Sequence, residues 1–316
     1  MAIDHNEAVI SIICNTYNHE KYIAQALDSF LMQKVNVPFE ILVHDDASSD
    51  RTPEIIRKYK AQYPEIIKPI LRKENQMSQG FSITADFQIP RAQGKYIAFC
   101  EGDDYWTDEN KLQIQYDFME AHPEYSICCH AYNMVDKEGN LLEERRDFPE
   151  DGIVPMERLI GNQLEVPHFA TMLVRKESLS GLGREFLGEL CSDMIIRLYC
   201  AAQKDIYYLD RNMSCYRRFT EGSWTVSVGK NKKKILELQK GKIEFLKKYD
   251  EYTHFQYTDV IKRGIEKRLF EINISEGDYR AARRNSSFQT ASLKRRIGIT
   301  VGCIFPKLVY SFLNKE

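Results

Sequence analysis

The sequence predicts an α/β fold built on a largely parallel sheet with helices on its faces. Three observations carry that expectation: short apolar, β-branched runs alternate with segments of helical spacing; turn and cap residues separate the two kinds of segment; and the residues ending the apolar runs are polar or acidic. In open sheets of this kind ligands bind outside the carboxyl ends of the strands, so those endings hold most of the functional information.

Val9–Cys14 reads as the first strand, and Tyr22–Met32 as the first helix, with apolar residues at Tyr22, Ile23, Ala26, Leu27, Phe30 and Leu31. Phe39–His44 is a second strand. Thr52-Pro53-Glu54 then opens a helix with a cap residue, a proline at the first helical position and an acid in the first turn. Lys68–Arg72 is a third strand, Ile83–Arg91 a third helix and Lys95–Cys100 a fourth strand. Further on, Lys111–Ala121 and Met194–Ala202 read as helices, and Tyr125–Val135 and Phe169–Arg175 as strands of a second, mixed half. From Lys230 the character changes to Lys-rich amphipathic helix, which sets a domain boundary near Val226: a catalytic-type domain over 1–225 and a helical region over 226–316.

With 44 Lys and Arg against 46 Asp and Glu, the net charge is −2, and 43% of the 316 residues are apolar. That balance excludes a disordered chain and an electrostatic nucleic-acid binder. The lysines of 230–248 read as the solvated face of a helix whose apolar side is Ile235, Leu236, Leu238, Ile243, Phe245 and Leu246, so no nucleic acid is expected as a partner. Met1–Glu7 lacks the basic and apolar regions of a secretory signal, and no window supplies the ~20 apolar residues of a spanning helix. The expectation is a cytoplasmic protein. Its eight cysteines contain no Cys-x-x-Cys pair and read as reduced, mostly structural thiols.

The strand endings are Asn15-Thr16-Tyr17-Asn18, Asp45-Asp46-Ala47-Ser48 and Glu101-Gly102-Asp103-Asp104. No Gly-x-Gly-x-x-Gly follows the first strand and no phosphate loop occurs, which excludes the common dinucleotide and P-loop chemistries. Acids ending adjacent strands crowd one crevice, and a shared hard divalent cation, Mn2+ or Mg2+, relieves that crowding by binding one or two carboxylates together with substrate phosphates.

Taken in order, these motifs resemble the glycosyltransferase family 2 enzymes of GT-A fold, over roughly residues 8–225. Asn15-Thr16-Tyr17-Asn18 resembles the family's Thr-Tyr-Asn start, and Asp45-Asp46-Ala47-Ser48-Ser49-Asp50-Arg51-Thr52 its Asp-Asp-Gly-Ser-x-Asp-x-Thr signature. Ala92-x-Gly94-x-Tyr96-Ile97, leading into Gly102-Asp103-Asp104, resembles the strand that delivers the Asp-x-Asp motif. The resemblance implies a Rossmann-like mixed sheet that binds a UDP-sugar. In it Thr16 and Tyr17 border the nucleoside, Asp46 bonds the uracil, Asp103 approaches the ribose and Asp104 binds the metal. Asp193 matches the family's late catalytic acid. Arg217, Arg218 and Trp224 match a closing loop over the diphosphate and sugar, and His168 an acceptor-side position; His130 is a weaker candidate. A carboxylate base acting through the acceptor hydroxyl in a single displacement implies inversion at the anomeric carbon.

The chain departs from the family pattern at Asn15, where proline is common, at Ala47, where glycine is usual, at Glu101 in place of aspartate and at Ser192 in place of glutamate. It lacks the Gln-x-x-Arg-Trp signature of processive synthases. The expected acceptor is a saccharide or a lipid-linked saccharide of bacterial surface-polysaccharide synthesis. The segment 294–313, where Lys294-Arg295-Arg296 precedes a broken apolar stretch, is expected to lie in the interface of an anionic membrane, the alternative being a helix packed on the catalytic domain or on another subunit. A nucleotidyltransferase is disfavoured because Asn15–Glu20 contains neither Gly nor Arg; the competing expectation is a catalytically silent nucleotide-sugar-binding protein.

Overall fold

The computed structural model describes residues 8–161, 167–182, 192–220 and 231–306. These residues form two compact units, the first from 8–155, 167–182 and 192–220, the second from 156–161 and 231–306.

In the first unit, strands β1 (Ile10–Thr16), β2 (Phe39–Asp45), β3 (Ile67–Leu71) and β4 (Tyr96–Phe99) pair in parallel, with Thr16 opposite Asp45 and Ile13 opposite Phe99. β1 is buried along almost its whole length, as expected of a central strand covered on both faces. Helices α1 (Ile23–Leu31) and α2 (Thr52–Gln62) follow β1 and β2, and a π-helical turn (Ile83–Gln88) runs into α3 (Ile89–Arg91), where Pro90 occupies the first helical turn. β5 (Tyr105–Trp106) and α4 (Lys111–Ala121) come next. β6 (Tyr125–His130), β10 (Leu173–Arg175), β11 (Asp205–Leu209) and β9 (Gly152–Ile153) extend the main sheet into the order β3-β2-β1-β4-β10-β6-β11-β9, and both pairings of β10 are antiparallel. A second sheet, β5-β12-β7-β8, is formed with β7 (Tyr132–Val135), β8 (Leu141–Arg145) and β12 (Ser214–Arg217).

Three elements differ from the sequence expectation, the first two for local reasons. Tyr125–Val135 is not one strand: Ala131 donates its N–H to the Leu209 carbonyl, and the chain steps there from the main sheet to the second sheet. Phe169–Arg175 begins as a 3₁₀ turn over Phe169–Thr171, capped by His168, and only its last three residues pair as β10. The helix expected at Met194 starts at Ser192, as α6 (Ser192–Ala201).

The second unit contains α5 (Met156–Gly161), α7 (Lys232–Tyr252), α8 (Thr258–Glu276), α9 (Tyr279–Arg284) and α10 (Leu293–Gly302). α7 buries Ile243, Phe245, Leu246 and Tyr249, while Lys232, Lys233, Lys234, Lys247 and Lys248 are exposed. α5 joins this unit because Gly264 of α8 lets Ile160 approach closely; a Cβ at Gly264 would meet Ile160 Cγ2 at 3.0 Å. No helix among the described residues is long and apolar enough to cross a membrane. Residues 307–313 of the expected interface segment lie outside the described residues.

Candidate active site

The carboxyl ends of β1, β2 and β4 converge through hydrogen bonds between their loops. The Gly102 N–H donates to the Asn15 carbonyl at 2.8 Å and the Asp46 N–H to the Thr16 carbonyl at 3.0 Å. Gly102 permits a close approach: a Cβ there would lie 2.7 Å from Thr16 Oγ1, which is buried and without a hydrogen-bond partner among the described residues. Thr16 is thus walled in at 3% exposure, whereas neighbouring Tyr17 keeps 38% of its surface open.

The loop after β4 carries three acids. Asp104 is buried, and its Oδ1 accepts the Arg217 main-chain N–H at 2.8 Å. Burial, and then the charge of Asp103, hold its carboxyl well above the usual range. The Glu101 carboxyl is pushed up to about 8 by burial, by Asp103 and by the more distant charge of Asp193, against a hydrogen bond from Asn15 Nδ2 at 3.3 Å. Asp103 Oδ2 accepts from Thr220 Oγ1 at 2.7 Å and lies 3.8 Å from His19 Nε2, leaving Oδ1 with no partner among the described residues. Such an oxygen-only, mutually repelling set fits the chemistry of a hard divalent cation. No group of three His, Cys, Asp or Glu side chains among the described residues is placed to hold one alone, so a cation here would keep positions for phosphate oxygens.

Arg217 braces this loop. Its Nε donates to the Asp103 carbonyl at 2.9 Å, NH1 to the carbonyls of Asp136 and Lys137 at 3.4 and 3.3 Å, and NH2 to Gln25 Oε1 at 2.7 Å. The guanidinium lies over the rings of Tyr22 and Tyr105. Arg217, at 4% exposure, is therefore directed into the protein, and Arg218, partly exposed with its guanidinium over Phe219, is the open cation of the pair. Trp224 lies outside the described residues.

Asp46 is held by the 72–80 loop. Its Oδ1 accepts the Gln76 N–H at 2.7 Å and its Oδ2 the Met77 N–H at 3.1 Å. Burial alone would raise this carboxyl, but a contact from His44 and these two amides bring it below the ordinary value. Asp45 is tied to Ser48, and between them Ala47 sits in the left-handed region at φ +64°.

Asp193 lies in the first turn of α6, where Oδ1 accepts the Met194 N–H at 2.7 Å and Oδ2 faces Arg197 NH2 at 3.3 Å. Arg197 is itself anchored by donating to the Pro167 carbonyl at 2.7 Å. His168 is buried between the rings of Tyr132 and Tyr216, with centroids 4.9 and 4.2 Å away, and burial pushes it down to about 4, so it is neutral near pH 7. His130 is likewise buried, its Nδ1 paired with the Ala131 carbonyl.

The structure thus brings Asp103, Asp104 and Arg217 into one bonded assembly, packs Thr16 against it at Gly102, places Asp193 near enough to raise Glu101, and holds Asp46 on an adjoining loop bonded to Thr16. Thr220 and Gln25 belong to the assembly but have no sequence signal: their partners lie 117 and 192 positions away.

The chain is similar to known proteins in sequence and in fold. The family described as glycosyl transferase family 2 covers residues 11–183. An uncharacterised protein of Mycobacterium tuberculosis is 34% identical over 223 residues, which is 68% of this chain and 60% of that protein, so the chain spans well under the full length of this relative. The Bacillus subtilis protein TuaG, named a putative teichuronic acid biosynthesis glycosyltransferase, is 31% identical over 45% of this chain and 54% of its own. Among solved structures, S. aureus TarS 1-349 in complex with UDP-GlcNAc superposes with a TM-score of 0.61 at 21% identity, covering 91% of this chain and 77% of that one, which shows the GT-A fold. On its strand-end motifs, its GT-A sheet and the family match over more than half its length, the chain belongs to glycosyl transferase family 2.

Proposed function

We propose that this protein is an inverting, metal-dependent glycosyltransferase that moves a hexosyl or N-acetylhexosaminyl unit from a UDP-sugar to a saccharide or lipid-linked saccharide acceptor in bacterial surface-polysaccharide synthesis. The observation that carries it is the acid loop Glu101–Asp104, fixed to β1 by the Gly102 N–H on the Asn15 carbonyl and to β12 through Arg217, at the carboxyl end of the sheet. Support for UDP comes from the complexes of TarS with UDP-GlcNAc and with UDP, and for the pathway from the name of TuaG. Support for a divalent ion comes from a Pyrobaculum calidifontis mannosyltransferase of TM-score 0.52, solved with GDP-Man and Mn2+.

In this reading Tyr17 and Asp46 border the nucleoside with the walled-in Thr16 behind them, Asp103 approaches the ribose and Asp104 holds the cation. A bound cation supplies positive charge to the departing diphosphate. Arg218 and Trp224 close over the diphosphate and sugar, and His168 lines the acceptor side. Asp193 takes the proton of the acceptor hydroxyl as the new C–O bond forms, a contribution of about 10²–10⁴-fold. Titrating UDP with and without Mn2+ into the parent, Asp103→Ala and Asp104→Ala tests the donor site, and a UDP-release screen over UDP-sugars tests turnover. Asp193→Asn should bind UDP normally and lose turnover by that factor. Metal-dependent UDP binding with no turnover on any donor would select the silent binder instead.

A further inference from the structure

The second unit exposes an apolar stripe that its own core does not use. α10 seats its Gly298, Ile299 and Gly302 side, where Gly302 lets the Tyr279 ring approach so closely that a Cβ would lie 2.6 Å from it. Arg295 pins the helix by a two-pronged pair with Glu271 at 2.9 and 2.6 Å. Leu293, Ile297, Val301 and Ile304, spaced four, four and three residues apart, point the other way with exposures of 71, 56, 40 and 69%, and Phe305 follows at 55%. At 100° per residue Leu293, Ile297 and Val301 of α10 fall within one arc, and Ile304 and Phe305 follow just past its end. From Tyr279 to Pro306 the sequence carries six basic residues, Arg280, Arg283, Arg284, Lys294, Arg295 and Arg296, and no Asp or Glu. Arg280, Arg283, Arg284 and Lys294 are exposed.

We infer that this face docks on an anionic lipid surface, the stripe entering the headgroup boundary and the arginines of α9 lying against lipid phosphates. The charge decides among occupants: even counting Glu271, which pairs with Arg295, and the exposed Asp278 at the start of α9, basic groups outnumber acids here, so a second copy would set two positive faces together, whereas an anionic bilayer gains from the excess. The inference does not depend on transferase activity. It is tested by co-sedimentation of the full chain with vesicles of phosphatidylcholine alone and of phosphatidylcholine mixed with phosphatidylglycerol. Binding is expected only to the mixed vesicles and is expected to weaken with salt. Each of Arg280→Gln, Arg283→Gln and Arg284→Gln should lower partitioning about fivefold, and Ile297→Asp with Ile304→Asp should abolish it while circular dichroism is unchanged. Equal binding to both vesicle types, or a stripe variant that sediments like the parent, overturns the inference. So does a parent that is dimeric by light scattering, becomes monomeric in the stripe variant and ignores both vesicles.

Discussion

The main chain of Arg217 donates to Asp104 Oδ1 at 2.8 Å while the side chain of the same residue caps the Asp103 main-chain carbonyl at 2.9 Å, so one residue of β12 holds two successive positions of the acid loop. Its remaining donors reach α1 at Gln25 and the turn at Asp136 and Lys137. Only a planar fork of five N–H groups serves such spread acceptors. Arg217→Lys should therefore leave several buried acceptors unpartnered, lowering stability by about 2–4 kcal/mol in urea unfolding and weakening Mn2+-dependent UDP binding. A variant of unchanged stability that loses only UDP affinity would instead make Arg217 a direct phosphate ligand.

Asp46 connects a conformational prediction to the nucleotide site. Because its two oxygens receive the Gln76 and Met77 amides, Asp46→Ala should release both, and hydrogen exchange at those amides should accelerate along with the loss of UDP affinity. Its lowered pKa means the stabilising contribution is full above the unfolded value near 3.9 and disappears as the pH falls through the folded value. Unchanged exchange at residues 76 and 77 would contradict this account.

How much of this was legible in the sequence depends on run length. β1, β2 and β4 announce themselves as buried apolar runs with polar endings, acidic after β2 and β4, which is why Asp103, Asp104 and the Asp45-Asp46 pair stood out. β5 and β9 are two residues each and present no period to read. The braces were invisible for a different reason. Thr220 and Gln25 are ordinary polar residues whose roles exist only after the chain has brought them to Asp103 and Arg217. Ala47 was visible as a departure from a glycine position, and its positive φ supplies the physical reason that glycine suits the place.

Ala47→Gly follows directly. An L-residue at φ +64° is strained by roughly 1–2 kcal/mol, and glycine removes that strain while adding about 0.4–1 kcal/mol of unfolded-chain entropy. The net expectation is a gain of about 0.5–1 kcal/mol, read as a higher urea midpoint at unchanged slope. A lower midpoint would show that the Ala47 methyl makes a compensating contact.

Lys111 supplies a pH dependence in the core of the first unit. It is fully buried, donating from Nζ to Gln115 Oε1 at 2.7 Å and lying 4.1 Å over the Trp106 ring, and burial pushes its pKa down to about 7. The unfolded lysine titrates near 10.4, so between these values the unfolded chain carries one more proton than the folded one, and stability rises with pH. Below about 7 both forms are charged and the slope vanishes. From pH 7 to pH 8 Lys111 should contribute a gain of about 1 kcal/mol. Buried thiols such as Cys128, pushed up to about 12, act oppositely above about 8.5, where the unfolded thiols ionise first, so the informative quantity is the difference between two proteins measured below that pH. Lys111→Met should be more stable than the parent at pH 7 and should lose the rise between pH 7 and pH 8. Parallel stability curves for the two proteins across that interval would mean that Lys111 stays charged in the folded core.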